Sequence, residues 1–205
     1  MLPYVMLNTE RLLLRPLIET DAETLYTIFS DAAVMRYWNT APWEHVGEAR
    51  DAIANDFEAR RTGSYLQLGI EKNADAQLIG TCTLFNFNHQ CRRAELGYAL
   101  ARSSWGRGFM HEALSALLDY AFAELNLHRI EAEIDPRNFA SAKTLDRLGF
   151  LKEGHRRDRW MVSGEGSDSH LYGLLVGDRL SSARVDRPSG RPVRGLCAGR
   201  VNPVI

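Results

Sequence analysis

The order of sequence patterns predicts a mixed α/β (α+β) domain, with a parallel crossover in the middle of its sheet and antiparallel pairing toward the ends. Two observations predict it. The runs 65–70, 78–87 and 94–100 are strand-like and separated only by the polar stretches 71–77 and 88–93, as in an antiparallel meander. A helical pattern over 109–125 then stands between the strand-like runs 94–100 and 129–134, which is how two parallel strands are connected.

Each element has its own signal. Arg11-Leu12-Leu13-Leu14-Arg15 reads as a short strand that Pro16 stops. Thr20 and Glu23 have capping-box spacing, and Leu25, Ile28 and Phe29 make the apolar stripe of a first helix ending near Ser30. A second helix is expected over 46–61, with Ala49, Ile53 and Phe57 spaced by four on its buried face. Between these helices lies an aromatic loop carrying Tyr37, Trp38, Asn39 and Trp43. In the helix over 109–125, Met110, Ala113, Leu114, Leu117, Leu118 and Ala121 share one face. Ile130, Ala132 and Ile134 then alternate with Glu131 and Glu133, as in a half-buried strand. A last helix over 139–148 stops at Gly149, and 150–162 with 170–175 reads as a closing hairpin.

Composition bounds the function. The 205 residues are 45% hydrophobic and 25% charged, the balance of a globular domain, and the length suits one domain with embellishments. The last stretch, 181–205, has five arginines against one acid, with proline and glycine and no aromatic residue, and is expected to be a disordered tail beyond a domain over 1–180. The net charge of −1 lacks the basic excess that nucleic acid or an anionic membrane attracts. Cys82, Cys91 and Cys197 form no CxxC pair and the histidines show no metal-binding spacing, so no disulfide framework and no metal is expected. With no signal-like N-terminus and no long apolar run, a cytoplasmic protein is expected.

The most informative stretch is Ala99-Leu100-Ala101-Arg102-Ser103-Ser104-Trp105-Gly106-Arg107-Gly108-Phe109, where a strand passes through a glycine turn into a helix. The first amides of a helix have no internal acceptor and sit at the positive end of its dipole, and Gly106 and Gly108 let an anion approach the backbone closely. Arg107 adds a cation suited to phosphate. The third small residue of a dinucleotide-binding fingerprint is missing, since His111 stands there. No Gly-Lys-Ser/Thr follows the glycines, and no GxSxG nucleophile turn is present, so neither a P-loop nor a serine hydrolase is supported.

Taken with Thr9-Glu10-Arg11-Leu12-Leu13-Leu14-Arg15, Glu95-Leu96-Gly97-Tyr98, Glu112-Ala113, Asn138 with Ser141, Leu148-Gly149-Phe150 and Leu171-Tyr172-Gly173, this turn resembles the GNAT superfamily of acyl-CoA-dependent N-acetyltransferases over about 6–175. Within that superfamily it is similar to the RimJ/RimL-like branch that acetylates the N-termini of ribosomal proteins. The resemblance implies a six- or seven-stranded mixed sheet splayed in the middle, about four flanking helices, and acetyl-CoA wedged between the strands ending at Leu100 and Ile134. Pyrophosphate would then lie on the amides of Gly106, Arg107, Gly108, Phe109 and Met110 beside Trp105. Pantetheine would pair with the backbone of Tyr98, Ala99 and Leu100 and meet Asn138, which also reads as a helix N-cap.

Acetyl transfer from a thioester to an amine needs a neutral amine, a polarised carbonyl and stabilisation of the departing thiolate. Glu95 is the candidate base through water, and the Ala99 amide the candidate carbonyl polariser. Where many family members place a tyrosine acid this sequence has Leu145, so the resemblance points to Ser141 instead, with Tyr98 and Tyr172 as further donors. Tyr37, Trp38, Asn39, Trp43 and Trp160 are the candidate acceptor-binding residues. The expected reaction is direct transfer to a primary amine, either a protein N-terminus or a small amine, by a monomer or a homodimer. The alternatives are a non-catalytic acyl-CoA sensor, or a succinyl-CoA enzyme using Arg102 or Arg159 for the extra carboxylate.

Overall fold

A computed structural model describes residues 4–162 and 164–179; the expected tail lies outside the described residues. Among them one eight-stranded sheet carries the fold, in the spatial order β1-β2-β3-β4-β5-β6-β8-β7. Its strands are β1 (Leu7–Asn8), β2 (Leu12–Arg15), β3 (Leu66–Lys72), β4 (Leu78–Asn88), β5 (Arg93–Leu100), β6 (Arg129–Ile134), β7 (Leu151–Val162) and β8 (Glu165–Leu175). The helices are α1 (Ala22–Phe29), α2 (Ala32–Met35), α3 (Val46–Thr62), α4 (Phe109–Ala123) and α5 (Phe139–Arg147). Every strand pair is antiparallel except β5 with β6, which α4 connects.

The core divides between the two faces of the sheet. Leu114, Leu117 and Leu118 of α4 pack with Leu68, Ile70, Leu84 and Ile130, all fully buried, in the larger cluster. Leu25, Ile28 and Phe29 of α1 form the smaller cluster with Met35 and Leu78.

Four expectations are corrected. The sheet has eight strands because β1 is only two residues long, too short to show alternation. Thr20 does not open a capping box: a 3₁₀ turn over Glu19–Asp21 precedes α1, and Asp21 instead accepts the Ile18 amide at 2.9 Å and two guanidinium bonds from Arg15 at 2.7 and 2.9 Å. On α3, Phe57 is 69% exposed and Asp56 is fully buried. At about 100° per residue, position 56 lies about 20° from Ala49 around the helix and position 57 about 80° away, so spacing by four walks off the buried face. Finally, the return strand of the hairpin begins at Glu165, because the polar stretch Gly166–Ser169 pairs with β7 rather than looping out.

Candidate active site

The sheet opens where the sequence changes from pairing to binding. β5 and β6 pair only at Arg93↔Arg129, Ala94↔Ile130 and Glu95↔Glu131, and then diverge, although β5 continues to Leu100 and β6 to Ile134. β4 covers the other edge of β5 as far as Leu100, so β5 from Leu96 onward shows an unpaired backbone edge to the gap. Within it the Leu100 carbonyl accepts from the Trp105 indole at 2.7 Å.

A cleft of about 280 Å³ fills this gap, lined by Glu95, Tyr98, Glu133, Asn138, Ser141 and Trp160 among others. Strand alternation puts Glu95 and Gly97 on one face of β5 and Leu96 and Tyr98 on the other, so the cleft runs through the sheet. On the α5 side the Tyr98 hydroxyl and Ser141 Oγ are hydrogen-bonded at 2.6 Å. Burial pushes the Tyr98 phenol up to about 12, against a smaller opposing effect of the Ser141 hydrogen bond. Asn138 caps α5, its Oδ1 accepting the Ser141 amide at 3.1 Å, and this cap turns Ser141 toward Tyr98.

The carboxylates of the cleft are unequal. Glu133 accepts from Arg159 at 2.9 Å, Arg156 at 3.2 Å and the Ser169 hydroxyl. Asp135 accepts the Arg137 guanidinium at 2.6 and 2.9 Å, and although burial works against ionisation, these bonds hold its carboxyl below the usual range. Glu95, half-buried, has no hydrogen-bond or ion-pair partner among the described residues. Among the described residues it is the one charged side chain lining the cleft that meets no opposite charge and no hydrogen-bonding group, whereas Glu133 faces two arginines and Asp135 one.

The glycine turn has the form expected of it. Gly106 and Gly108 have φ of 72° and 78°, in the left-handed region that favours glycine, and Gly108 is the N-cap of α4. A Cβ at Gly106 would meet nothing within 4 Å, so the space before the turn is open. The first helical hydrogen bond runs from Glu112 N to Gly108 O, which leaves the amides ahead of it for a ligand. These free amides, with the exposed Arg107, fit a diphosphate.

Of the expected acceptor residues, Tyr37, Trp38, Asn39 and Trp160 line the cleft. Trp43 is not among its lining residues: it stacks on Phe29 with ring centroids 4.7 Å apart, and Trp38 meets the same ring edge-on at 5.4 Å. Trp160 lies under the Arg159 guanidinium at 4.3 Å. A second cavity of about 380 Å³ adjoins the cleft through Trp38, Asp135 and Ser167 and reaches Arg36 and Glu165. Sequence reasoning missed Glu133 and Arg156, and named Arg159 as a contact for an extra donor carboxylate; alternation marked Glu133 only as outward-facing, and charge alone does not reveal which arginine returns to it.

Comparison with known proteins decides the family. The model of the acetyltransferase (GNAT) domain matches residues 11–151. The chain belongs to the GNAT acetyltransferase family. An uncharacterized N-acetyltransferase, p20, of Bacillus licheniformis is 40% identical over 169 residues, covering 82% of this chain and 95% of that protein. The [ribosomal protein uS5]-alanine N-acetyltransferase of Escherichia coli is 30% identical, covering 86% and 93%. Among solved structures, the spermidine N-acetyltransferase of Vibrio cholerae in complex with CoA and spermine superposes with a TM-score of 0.75 at 25% identity, covering 84% of this chain and 99% of that one. The splay between β5 and β6 and the turn before α4 both lie within the matched region, and the ribosomal-protein acetyltransferase among the relatives is consistent with the RimJ/RimL-like branch.

Proposed function

We propose that this N-acetyltransferase carries the acetyl group of acetyl-CoA directly to a single uncharged-flanked primary amine, a peptide α-amine rather than a polyamine, in a ternary complex at the splay. The observation that carries the reading is the composition of the cleft: one unpartnered carboxylate, Glu95, among Tyr37, Trp38, Asn39 and Trp160. A polyamine spreads several positive charges along its length and gains from several free carboxylates, whereas Glu133 and Asp135 are already neutralised by arginines. An α-amine of pKa near 8 is partly neutral at pH 7, so one carboxylate acting through water suffices to draw off its proton.

CoA supplies the thioester, and the chain's residues do the rest. The diphosphate on the free amides of Gly106 to Met110 and the pantetheine along the open edge of β5 aim the thioester into the gap, whereas the main-chain groups of Ala99 face β4 and leave the thioester carbonyl to other donors. The amine nitrogen bonds to the acyl carbon, the C–S bond breaks, and sulfur leaves with the electron pair. The Tyr98–Ser141 pair meets that sulfur as a hydrogen-bond donor. A phenol held at about 12 gives its proton up less readily than a thiol of pKa about 8.5, so the pair stabilises the thiolate without surrendering a proton outright. The proton count closes through water, with the proton that the amine gives to Glu95. This also accounts for Leu145 where a tyrosine acid stands in many relatives: the phenol comes from β5 instead. A succinyl donor is less well served by Arg159, which already donates to Glu133, and Arg102 faces Asp31 at 3.9 Å.

Intact-mass measurement after incubation with acetyl-CoA tests the acceptor. Peptides with an alanine or serine N-terminus should each gain one acetyl group faster than spermine or spermidine does at equal concentration. Faster turnover of a polyamine would overturn the reading.

A further inference from the structure

The resemblance includes a stretch near the N-terminus, Thr9 to Arg15, whose part in the chemistry neither its composition nor its spacing explains. It sits against the glycine turn. Thr9 and Leu12 close a tight β1–β2 turn through Thr9 N to Leu12 O at 2.8 Å and Leu12 N to Thr9 Oγ1 at 2.9 Å. From that turn Thr9 Oγ1 donates to Glu112 Oε1 at 2.6 Å, the Arg11 amide donates to the same oxygen at 2.8 Å, and Arg11 Nε donates to Oε2 at 2.6 Å. Arg11 Nη1 also donates to the Arg107 carbonyl at 3.0 Å, and the guanidinium lies over the Phe109 ring at 4.7 Å. One side chain thus touches the middle of the turn, the first residue of α4 and the acid of its first helical turn.

We propose that Arg11 is the positioning residue of the diphosphate turn: it cancels the charge of Glu112 in the first turn of the helix whose N-terminus would take the diphosphate, and it ties down the Arg107 carbonyl within the turn. The inference rests on the CoA site read above. A carboxylate in the first turn of a helix is stabilised by the same positive end that attracts a diphosphate, so an unpaired Glu112 competes with the ligand and repels it. Burial pushes the Glu112 carboxyl up, but the bonds from Thr9 and Arg11 outweigh it and hold it below the usual range, so the acid is charged at neutral pH and needs its partner. Glu112 in turn is what fixes Arg11, which is 44% exposed at its side chain and, among the described residues, pairs with no other carboxylate. The Arg107 carbonyl is a second negative pole in the turn, and its bond to Arg11 offsets it. The Arg107 side chain is exposed and, among the described residues, has no hydrogen-bond or ion-pair partner, so it can turn to the phosphates.

Calorimetric titration of the full chain with CoA tests this, with thermal unfolding of the ligand-free protein as the control for folding. Arg11→Met should weaken CoA binding about tenfold while leaving kcat, at saturating acetyl-CoA, and the acceptor KM within about twofold of the parent. Adding Glu112→Gln to Arg11→Met should recover most of that loss, since the repelling charge is then gone; a purely structural brace would be weakened further by the second change. Arg11→Lys, which keeps the charge without the fork, should fall between. An Arg11→Met chain that binds CoA as tightly as the parent, or a double variant no better than the single one, overturns the role of Arg11. Failure of the unaltered chain to bind CoA would instead overturn the diphosphate site on which the inference rests.

Discussion

Tyr98 and Ser141 show how two ordinary residues become a site. A serine in the first turn of a helix and a tyrosine on a strand are common, but here the Asn138 cap and the splay bring their oxygens to 2.6 Å beside the gap. Ser141→Ala should lower kcat about 100-fold, or about 2.7 kcal/mol, in steady-state assays that leave the KM for acetyl-CoA nearly unchanged. Glu95→Gln should cut turnover at least tenfold at pH 7 and recover as the pH rises toward 9, where more of the α-amine is neutral without help. A flat pH profile for that variant would remove Glu95 from its role. Asp56 makes a separate statement about stability. It is fully buried, with Arg60 at 3.5 Å from its side-chain oxygens, and burial raises its carboxyl to about 6 against the opposing pull of Arg60 and the Gln67 backbone amide. The folded state therefore holds this proton more tightly than the unfolded chain, with its value near 3.9, so the stability this group contributes is complete below about pH 4 and lost as the pH rises through about 6. Denaturant midpoints should show Asp56→Asn gaining about 1 kcal/mol on the parent at pH 7.5 and little at pH 4.

At the scale of elements, the proposed donor site lies on the strand–turn–helix unit of β5 and α4, whose glycines are required by conformation rather than by habit. An L-residue at the φ of 78° of Gly108 costs about 1–2 kcal/mol, and an added carboxylate would face the diphosphate. Gly108→Asp should raise the KM for acetyl-CoA at least tenfold, and an unchanged KM would place the diphosphate elsewhere. The helix α3 teaches the opposite lesson: its apolar residues spaced by four suggested a buried stripe, yet Phe57 is exposed because the helix turns past that face within two steps.

The whole molecule depends on how β4 holds β5 while β6 lets it go. Gly80 on β4 lies opposite Leu100, and a Cβ there would come within 2.3 Å of the Ala99 carbonyl, a backbone atom that cannot step aside alone. Gly80→Ala should therefore push β5 into the gap, destabilising the fold by about 1–3 kcal/mol in denaturant unfolding and lowering kcat/KM for acetyl-CoA together with stability. If activity survives intact in a folded Gly80→Ala protein, the open edge of β5 is not what aligns the thioester.

Sequence alone determined the local features of this protein: the strands with clear alternation or long apolar runs, the α4 face of Met110, Leu114 and Leu117, and the glycine turn whose conformation admits little else. Periodicity and backbone sterics act over a few residues, so a linear chain displays them. Tertiary structure alone decided which charges were spent. That Glu133 is neutralised by Arg159, that Glu112 is held by Thr9 and Arg11 a hundred positions away, and that Glu95 is left without a partner follow from where the strands bring these side chains. Coulomb and hydrogen-bond energies depend on distance in space rather than along the chain, so acidic residues that look alike in sequence become a paired one, a held one and an unpartnered one only once the sheet has formed.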